Sequence, residues 1–283
     1  MNTFSPEWLN LREPADARAR NSEIAQAVAG WFALRENVSV VDLGSGTGAN
    51  LRAASSLLPQ KQTWTLVDHN PQFTAVAREA LTRWADSAQF DSEVLHLVKG
   101  QAGIAVHFKT ADLAHNLSDA LGEKPDLVTA SAFFDLVSED FIRALAKELE
   151  ARRAMFYGAL TYNGIQRWSP HRPADNQMMS AFHQHQLRDK GFGPACGPMA
   201  PAHLADQFRL HGYNVLEGDS AWRLDTPDRT LIEELQRGHA LAVLESNAVD
   251  AKTVETWIKV KRASAIVGHT DTFATPGTSG ARI

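Results

Sequence analysis

Residues 38–50 read Val-Ser-Val-Val-Asp-Leu-Gly-Ser-Gly-Thr-Gly-Ala-Asn, and this stretch decides the fold. The run from Val38 to Leu43 is short and rich in valine, which predicts a buried parallel strand. A helix is predicted to begin at Ala49. Glycines between the strand and the helix have no Cβ atom, so the chain can turn with positive φ and let a ligand approach its backbone. Three glycines stand there, Gly44, Gly46 and Gly48. The stretch is therefore predicted to be a nucleotide-binding strand–turn–helix unit.

Asp42 ends this strand, two residues before the first glycine. A carboxylate there would repel a pyrophosphate but would tolerate or attract a ligand that carries an amino group and a sulfonium, such as S-adenosylmethionine (SAM). Residues 42–48, Asp-Leu-Gly-Ser-Gly-Thr-Gly, resemble the first motif of the class I SAM-dependent methyltransferases, acid-x-Gly-x-Gly-x-Gly. The same residues fit Gly-x-Gly-x-x-Ala through Ala49, so a nicotinamide-binding Rossmann site stays open.

Composition restricts the class of protein. The chain has 283 residues, of which 44% are hydrophobic, enough for one large α/β domain or two small ones. Its net charge of −5 and the lack of long basic runs predict no nucleic-acid partner. The single cysteine, Cys196, cannot form an internal disulfide, and no segment has the apolar length of a membrane span. No signal peptide is evident, so we expect a cytoplasmic protein without membrane contacts, either a monomer or a homodimer.

Strand and helix patterns alternate in the first part of the chain, which predicts a parallel sheet with right-handed crossovers. The resemblance implies that an antiparallel pair, formed by 214–224 and 265–274, closes the sheet. The predicted fold is a doubly wound, seven-stranded, Rossmann-like α/β sheet. The predicted parallel strands are 38–43, 62–67, 104–110, 125–132 and 154–163, the last ending at Gly164.

We interpret residues 1–283 as a single methyltransferase domain. Helices over 6–12 and 15–34 precede the first strand, and the prolines and histidines after the fifth strand are typical of a cap over a substrate. The predicted parts are an N-terminal helical cap (1–35), a SAM-binding core (36–163), a cap insertion (164–202), C-terminal helices and closing strands (203–276), and a flexible tail (277–283).

Two further acids follow strand ends. Asp68 lies about 20 residues after the glycines, where a carboxylate can accept hydrogen bonds from both ribose hydroxyls of SAM or of NAD. The resemblance implies that Asp112 binds the adenine amino group and that the backbone of Leu113 meets a ring nitrogen, although Asp112 also suits a helix cap. It further implies that the cluster Arg18, Arg20 and Asn21 reaches the methionyl carboxylate, unless its arginines lie on a solvated helix face, and Arg18 is the member taken as a cofactor-binding residue. The predicted cofactor-binding residues are Arg18, Asp42, Gly44, Ser45, Gly46, Gly48, Asn50, Asp68, His69, Asp112, Leu113 and Ser131.

The methyl acceptor is expected outside the carboxyl ends of strands four and five. Asp135 is costly to bury without a partner, so it either faces a polar site or caps a turn. His183 and His185 lie about 200° apart on a helix and cannot bind one metal ion from one face, and we predict no metal site. The predicted catalytic residues are Asp135, Tyr162 and His185. The predicted substrate contacts are Phe133, Phe134, Asn163 and His183, where one of the phenylalanines faces the sulfonium or both lie in the core.

The predicted function is transfer of a methyl group from SAM to a small-molecule acceptor by in-line displacement, with S-adenosylhomocysteine as the product. A base is needed only if the acceptor must lose a proton. The alternatives are an NAD(P)-dependent oxidoreductase, which would favour a Tyr-x-x-x-Lys pair that is missing here, and a non-catalytic SAM-binding protein. Methylation of protein or RNA is disfavoured because residues 131–135 read Ser-Ala-Phe-Phe-Asp and not Asn/Asp-Pro-Pro-aromatic.

Overall fold

The computed structural model describes residues 5–277, so the predicted tail lies outside the described residues except for Gly277. Hydrophobic periodicity and capping residues produce alternating helices and strands along this part of the chain. The helices are α1 Pro6–Ala19, α2 Ser22–Phe32, α3 Ala49–Ala54, α4 Pro71–Trp84, α5 Leu113–Leu121, α6 Glu139–Arg152, α7 Asp175–Gln186, α8 Ala200–Leu210, α9 Arg229–Ser246 and α10 Ala251–Ile258. The strands are β1 Asn37–Leu43, β2 Lys61–Asp68, β3 Ser87–Asp91, β4 Val94–Lys99, β5 Ala102–Thr110, β6 Leu127–Ser131, β7 Met155–Ser169, β8 Tyr213–Asp219, β9 Trp222–Leu224 and β10 Ser264–Pro276.

The strands form one sheet in the order β3-β4-β5-β2-β1-β6-β7-β10-β8, with β9 paired to β10. Its centre, β5-β2-β1-β6-β7, is parallel. The chain moves outward from β1 to one edge and then returns to β6 on the other side, so the topological switch point lies between β1 and β6. The predicted doubly wound Rossmann-like sheet is confirmed, and its closing strands β10 and β8 are antiparallel as expected.

The sheet within residues 5–277 has ten strands and not seven. An antiparallel β3–β4 hairpin extends the edge beyond β5, and the predicted strand 214–224 is divided into β8 and β9. Every residue of β3 is exposed, so this strand lacks the alternation of buried and exposed residues that reveals a strand in sequence. A sequence pattern reports only strands that bury one face.

Two predicted boundaries were wrong. Helix α1 continues through Pro14 to Ala19, and the break falls at Asn21, whose side chain accepts hydrogen bonds from the first backbone N–H groups of α2. Strand β7 does not end at Gly164 but continues to Ser169, because β10 pairs with it along this extension. Residues 164–169 therefore belong to the sheet, and the predicted cap starts after them.

Apolar side chains cover both faces of the sheet. One cluster packs α5, α6 and α8 against it, and another packs α2, α3 and α4 against the opposite face. A third cluster joins α7, α9 and α10 to the extended ends of β7 and β10. Complete burial of one large aliphatic side chain, such as that of Leu43, contributes about 1.5–3 kcal/mol. This third cluster holds the cap residues against the sheet.

A buried ion pair lies inside the third cluster. The Arg262 guanidinium donates to Asp175 at 2.7 Å and to the Pro170 carbonyl at 2.6 Å. Asp175 also accepts from the Trp257 indole at 2.7 Å. The same guanidinium lies 5.5 Å from the ring centre of Trp168 and 5.1 Å from that of Trp257. A buried charge with this many partners is costly to leave unpaired.

Removal of the carboxylate should therefore unfold the cap more readily. We expect Asp175→Ala to lower the free energy of unfolding by about 3–5 kcal/mol, measured by urea denaturation, because it leaves Arg262 buried without its counter-charge. Glu234→Ala is the matched control, since Glu234 pairs with Arg237 on the surface of α9. Exposed pairs contribute little. Similar losses in the two variants would contradict this account of the cap.

Candidate functional site

The glycine turn between β1 and α3 is the floor of the candidate site. Gly44, Gly46 and Gly48 all have positive φ, at 63°, 50° and 74°. A Cβ atom on Gly44 would come within 2.7 Å of the Phe133 ring, and one on Gly46 within 3.1 Å of Leu9 in α1. Only glycine fits this conformation without strain at these close approaches. The turn thus lies between Phe133, which comes shortly after β6, and α1.

Asp42 is fully buried beneath this turn. Its Oδ1 accepts a hydrogen bond from the Asn50 side-chain amide at 2.7 Å, and its Oδ2 has no partner among the described residues. Burial raises the pKa of Asp42 to about 7, opposed by the Asn50 hydrogen bond and the positive charge of Arg20. Buried polar atoms almost always have partners, so the orphan oxygen marks a place for a ligand donor.

Arg20 stands beside this pair. Its guanidinium donates to the Asn50 side-chain oxygen at 2.8 Å and lies 3.5 Å from Ser131 Oγ and 3.4 Å from the Tyr157 hydroxyl. These partners come from α3, from the end of β6 and from β7. Arg20 therefore brings a positive charge to the carboxyl edge of the parallel strands, next to the buried Asp42.

The structure places the predicted Arg18 elsewhere. Its guanidinium donates to Asp228 at 2.6 Å, and about half of its side chain is exposed. Helix α1 ends between the two arginines, so Arg18 stays on the helix surface while Arg20 occupies the turn before α2. Of the predicted cluster Arg18, Arg20 and Asn21, the structure brings Arg20 to the strand ends, because α1 extends beyond its predicted boundary and ends between the two arginines.

Asp271 in β10 is a site residue that the sequence analysis missed. It is completely buried, and its carboxylate accepts from the backbone N–H groups of Leu160 at 2.8 Å and Asn21 at 3.0 Å. The Tyr157 hydroxyl lies 3.4 Å away. An aspartate within an otherwise buried strand was the available signal, because a carboxylate in such a place needs partners. Here it fixes the α1–α2 turn, and with it Arg20, against the sheet.

A bulge in β7 changes the face of the sheet on which the side chains after it lie. Gly158 pairs with Thr272 and Thr161 with Thr270, so two residues of β7 oppose Asp271 alone, and one of them, Leu160, has φ of 54°. A regular strand would place Tyr157 and Tyr162 on opposite faces of the sheet, whereas one extra residue puts both on the same face. Tyr162 pairs with His269 and its ring centre lies 6.2 Å from that of the histidine.

Tyr162 contacts the predicted cap. Its hydroxyl lies 3.0 Å from Nε2 of His183 in α7. Burial, followed by the nearby negative charge of Asp135, raises the pKa of the Tyr162 hydroxyl. Burial raises the pKa of Asp135 itself to about 6, opposed by a backbone hydrogen bond and the charge of Arg12. Burial lowers the pKa of His183, opposed by a hydrogen bond to the Gly164 carbonyl. The structure thus brings together Asp135, Tyr162 and His183.

His185 does not join this group. It lies on the opposite side of α7, where its Nε2 is 2.9 Å from Glu245 in α9. The angular separation of His183 and His185 on a helix, which argued against a shared metal ion, also means that only one of them can face Tyr162. The geometry therefore replaces His185 with His183 as the histidine beside Tyr162.

The remaining predicted acids, Asp68 and Asp112, already have partners within the protein. Asp68 accepts from the backbone N–H of Gly46 at 2.9 Å and of Asn70 at 3.0 Å, and it is 8% exposed. Asp112 caps α5, because its carboxylate accepts from Ala114 N–H at 3.0 Å and contacts His115. The cap interpretation of Asp112 is therefore correct, and a cap carboxylate retains capacity for a second donor.

The other predicted residues lie in the glycine turn, after strand ends, in the core and in β7. Ser45 donates its backbone N–H to the Val67 carbonyl, which holds the glycine turn to β2, and His69 and Leu113 follow the ends of β2 and β5. Phe134 is 1% exposed and packs on Phe156, so it lies in the core and not in the site. Asn163 accepts the backbone N–H of Ile165 and lies 3.4 Å from Thr270.

Within residues 5–277, no group of three or more His, Cys, Asp or Glu side chains has an arrangement that could hold a metal ion. Over the same range, no helix combines the length and apolar character needed to traverse a bilayer.

Comparison with known proteins gives a fold. No protein-family model matches the chain, and no curated protein matches its sequence. The YcgJ protein of Bacillus subtilis matches 92% of this chain and 100% of its own, with a TM-score of 0.50 and 12% identity. A SAM-dependent methyltransferase of Thiobacillus denitrificans, crystallised with S-adenosyl-L-homocysteine, matches 96% of this chain and 100% of its own, with a TM-score of 0.46 and 18% identity. The precorrin-6y C5,15-methyltransferase of Geobacter metallireducens matches 91% of this chain and 88% of its own, with a TM-score of 0.45 and 11% identity. The likeness to YcgJ shows a shared fold and nothing beyond it.

The buried carboxyl of Asp42 should make stability depend on pH. Between its ordinary pKa of 3.8 and about 7, the folded protein keeps a proton on Asp42 that the unfolded chain has lost, so folding is progressively disfavoured as pH rises. Asp42→Asn cannot ionise and keeps an acceptor for Asn50. Without added ligand, we expect the free energy of unfolding of the variant, relative to that of the wild type, to increase by about 1–3 kcal/mol from pH 5 to pH 8, measured by urea unfolding.

The control is Asp140→Asn, because Asp140 lies exposed at the start of α6. It should show no comparable gain across the same pH range. A stability difference between wild type and Asp42→Asn that does not change with pH would mean that Asp42 ionises normally in the folded protein.

Proposed function

We propose that this protein is a SAM-dependent methyltransferase that acts on a small-molecule acceptor. The observation that carries the proposal is the pair of opposite charges at the glycine turn. Asp42 and Arg20 are bridged by the side chain of Asn50, which donates to the carboxylate at 2.7 Å and accepts from the guanidinium at 2.8 Å. The ammonium and the carboxylate of a free amino acid group, such as the methionine part of SAM, complement such a pair. A pyrophosphate would gain from Arg20 but would be repelled by Asp42.

The chain has suitable groups for each part of SAM. The unpaired Oδ2 of Asp42 offers an acceptor for the amino group, and Arg20 offers donors for the carboxylate. We assign Asp68, whose carboxylate accepts from the Gly46 N–H, to the ribose, and Asp112 with Leu113 to the adenine. Asp68 is nearly buried whereas more than half of the Asp112 side chain is exposed, so we assign the larger share of binding to Asp68.

The acceptor is assigned to the space between the strand ends and the cap. SAM supplies an activated methyl group, so the protein needs chiefly to position the acceptor and to exclude water. We assign Phe133, whose ring lies against Gly44, to the space beside the methyl donor, because an aromatic ring favours a positive charge. Asp135, Tyr162 and His183 form the polar side of the acceptor site, and Asn163 stays a predicted contact. The fit of α1 over Gly46 supports a small acceptor and not a macromolecule.

Titration calorimetry tests the cofactor. We expect the purified protein to bind SAM and S-adenosylhomocysteine and to give no heat with NADH or NADPH, because Asp42 opposes a pyrophosphate. A polar cofactor with matched hydrogen bonds should bind in the micromolar range or tighter, about −8 kcal/mol. Binding of a nicotinamide dinucleotide without binding of SAM would overturn the proposed function in favour of an oxidoreductase.

A pair of arginine variants tests the charge pairing. We expect Arg20→Met to weaken SAM binding by roughly ten- to hundredfold, since a hydrogen bond to a charged group contributes about 1.5–3 kcal/mol. Arg18→Met is the matched control and should bind SAM as the wild type does, because Arg18 pairs with Asp228. Adenosine, which lacks the amino acid part of SAM, should bind both variants equally. A larger loss at Arg18 would restore the sequence-based choice.

A further inference from the structure

We propose that Tyr162 and His183 form a proton relay that accepts the proton of the methyl acceptor, and that the acceptor group is therefore a hydroxyl. This inference rests on the proposed function and identifies the chemical class of its second substrate. A hydroxyl is a weak nucleophile until it loses its proton, so it needs a base during methyl transfer. A neutral amine attacks through its lone pair without first losing a proton, and a relay beside it would bring no comparable gain.

The relay is defined by one contact of the His183 ring. Its Nε2 lies 3.0 Å from the Tyr162 hydroxyl, within hydrogen-bond distance. A neutral imidazole has one ring N–H and one nitrogen that can only accept, and a hydroxyl can donate. Nε2 accepts from the Tyr162 O–H when the ring proton is on Nδ1, and this is the tautomer that the relay requires.

The surroundings keep both groups in the protonation states that a relay requires. Burial lowers the pKa of His183, so the imidazole is neutral at neutral pH. Burial, followed by the charge of Asp135, raises the pKa of Tyr162, so the phenol keeps its proton and cannot by itself act as a resting base. Two further histidines face the pair, His239 from α9 and His269 from β10. Burial lowers the pKa of each to about 3, so they add no charge.

The relay lies on the correct side of the sheet. The last residue pair between β6 and β7 is Ser131 with Ala159, so Tyr162 projects three residues beyond the end of β6, about 10 Å along the strand. The bulge at Leu160 puts Tyr162 on the same face as Tyr157, whose hydroxyl contacts Arg20. This is the edge at which the cofactor-binding residues converge. Asp135 is a charged group near Tyr162, and Arg12 in turn lies near Asp135.

The proton transfers balance as follows. The acceptor oxygen forms a bond to the methyl carbon while its own proton passes to the Tyr162 oxygen, and the Tyr162 proton passes to Nε2 of His183. The bond between methyl carbon and sulfur breaks, and its electron pair stays on sulfur. His183 is left as an imidazolium, which releases one proton to solvent before the next turnover. Tyr162 begins and ends as a neutral phenol.

The relay can be tested without any cofactor. Nitrogen-15 NMR of the histidine side chains distinguishes the two neutral tautomers, and His183→Gln identifies the signal. We expect His183 at pH 7.5 to carry its proton on Nδ1 and to titrate below its ordinary pKa of 6.5. In Tyr162→Phe, the Nε2 shift should move toward that of a nitrogen without a donor. An Nε2–H tautomer at pH 7.5, or a titration midpoint above 6.5, overturns the relay.

The acceptor class is tested with radiolabelled SAM and small acceptors of matched shape: phenol and benzyl alcohol, aniline and benzylamine, and thiophenol. We expect label on the hydroxyl compounds and a rate that rises with pH through a midpoint below 6.5. Tyr162→Phe and His183→Gln should lower that rate by about 100-fold or more, while calorimetry finds SAM affinity within threefold of wild type. His185→Gln is the matched control, because His185 pairs with Glu245 across α7.

The outcomes separate the two proposals. Label confined to amines or thiols, or label on no hydroxyl compound although SAM binds, overturns the acceptor class. A loss at His185→Gln equal to that at His183→Gln overturns the relay. Failure of the wild-type protein to bind SAM contradicts the proposed function instead, and the NMR tautomer result still stands by itself.

Discussion

The buried carboxylate of Asp271 is the interaction on which the candidate site depends. It accepts backbone hydrogen bonds from Leu160 in the β7 bulge and from Asn21 in the turn between the N-terminal helices. A buried backbone N–H without an acceptor costs about 1–3 kcal/mol, so one side chain stabilises two irregular segments at once. The bulge directs Tyr162 and the turn directs Arg20. The same residue thus fixes both the proposed acceptor side and the proposed cofactor side of the site.

Charge balance explains why this arrangement tolerates two buried carboxylates. Asp42 and Asp271 are both fully buried, and Arg20 is the cation near both of them, through Asn50 and through Tyr157. Asp271 has its acceptor oxygens used by the protein, whereas Asp42 has one oxygen without a partner and a pKa raised to about 7 by burial. A positively charged ligand group at Asp42 would complete the balance, and the protein without ligand holds that carboxyl partly protonated.

The cap completes the site from the other side. Strand β7 passes from the parallel sheet through the bulge into an antiparallel extension with β10, and the third apolar cluster fastens α7 to that extension. His183 therefore reaches Tyr162 from an element that packs on the same strand. Leu9 and the ion pair between Glu13 and Arg52 hold α1 over the glycine turn. The reacting groups are held by regular elements and not by loops, which favours precise positioning.

The sequence by itself determined the features that depend on neighbours along the chain. The glycine turn, the acids at the carboxyl ends of β1 and β2, and the order of the parallel strands follow from local periodicity and backbone freedom, and each lay where the pattern placed it. Only the tertiary structure decided which of two similar residues faces the site. Arg20 and not Arg18, and His183 and not His185, meet the strand ends, because a helix boundary and a helix face select them. The sequence showed Asp271 only as an aspartate within an apolar strand and gave no sign of its partners or of the bulge, since those partners lie more than 100 residues away, and no local pattern records a contact at that distance.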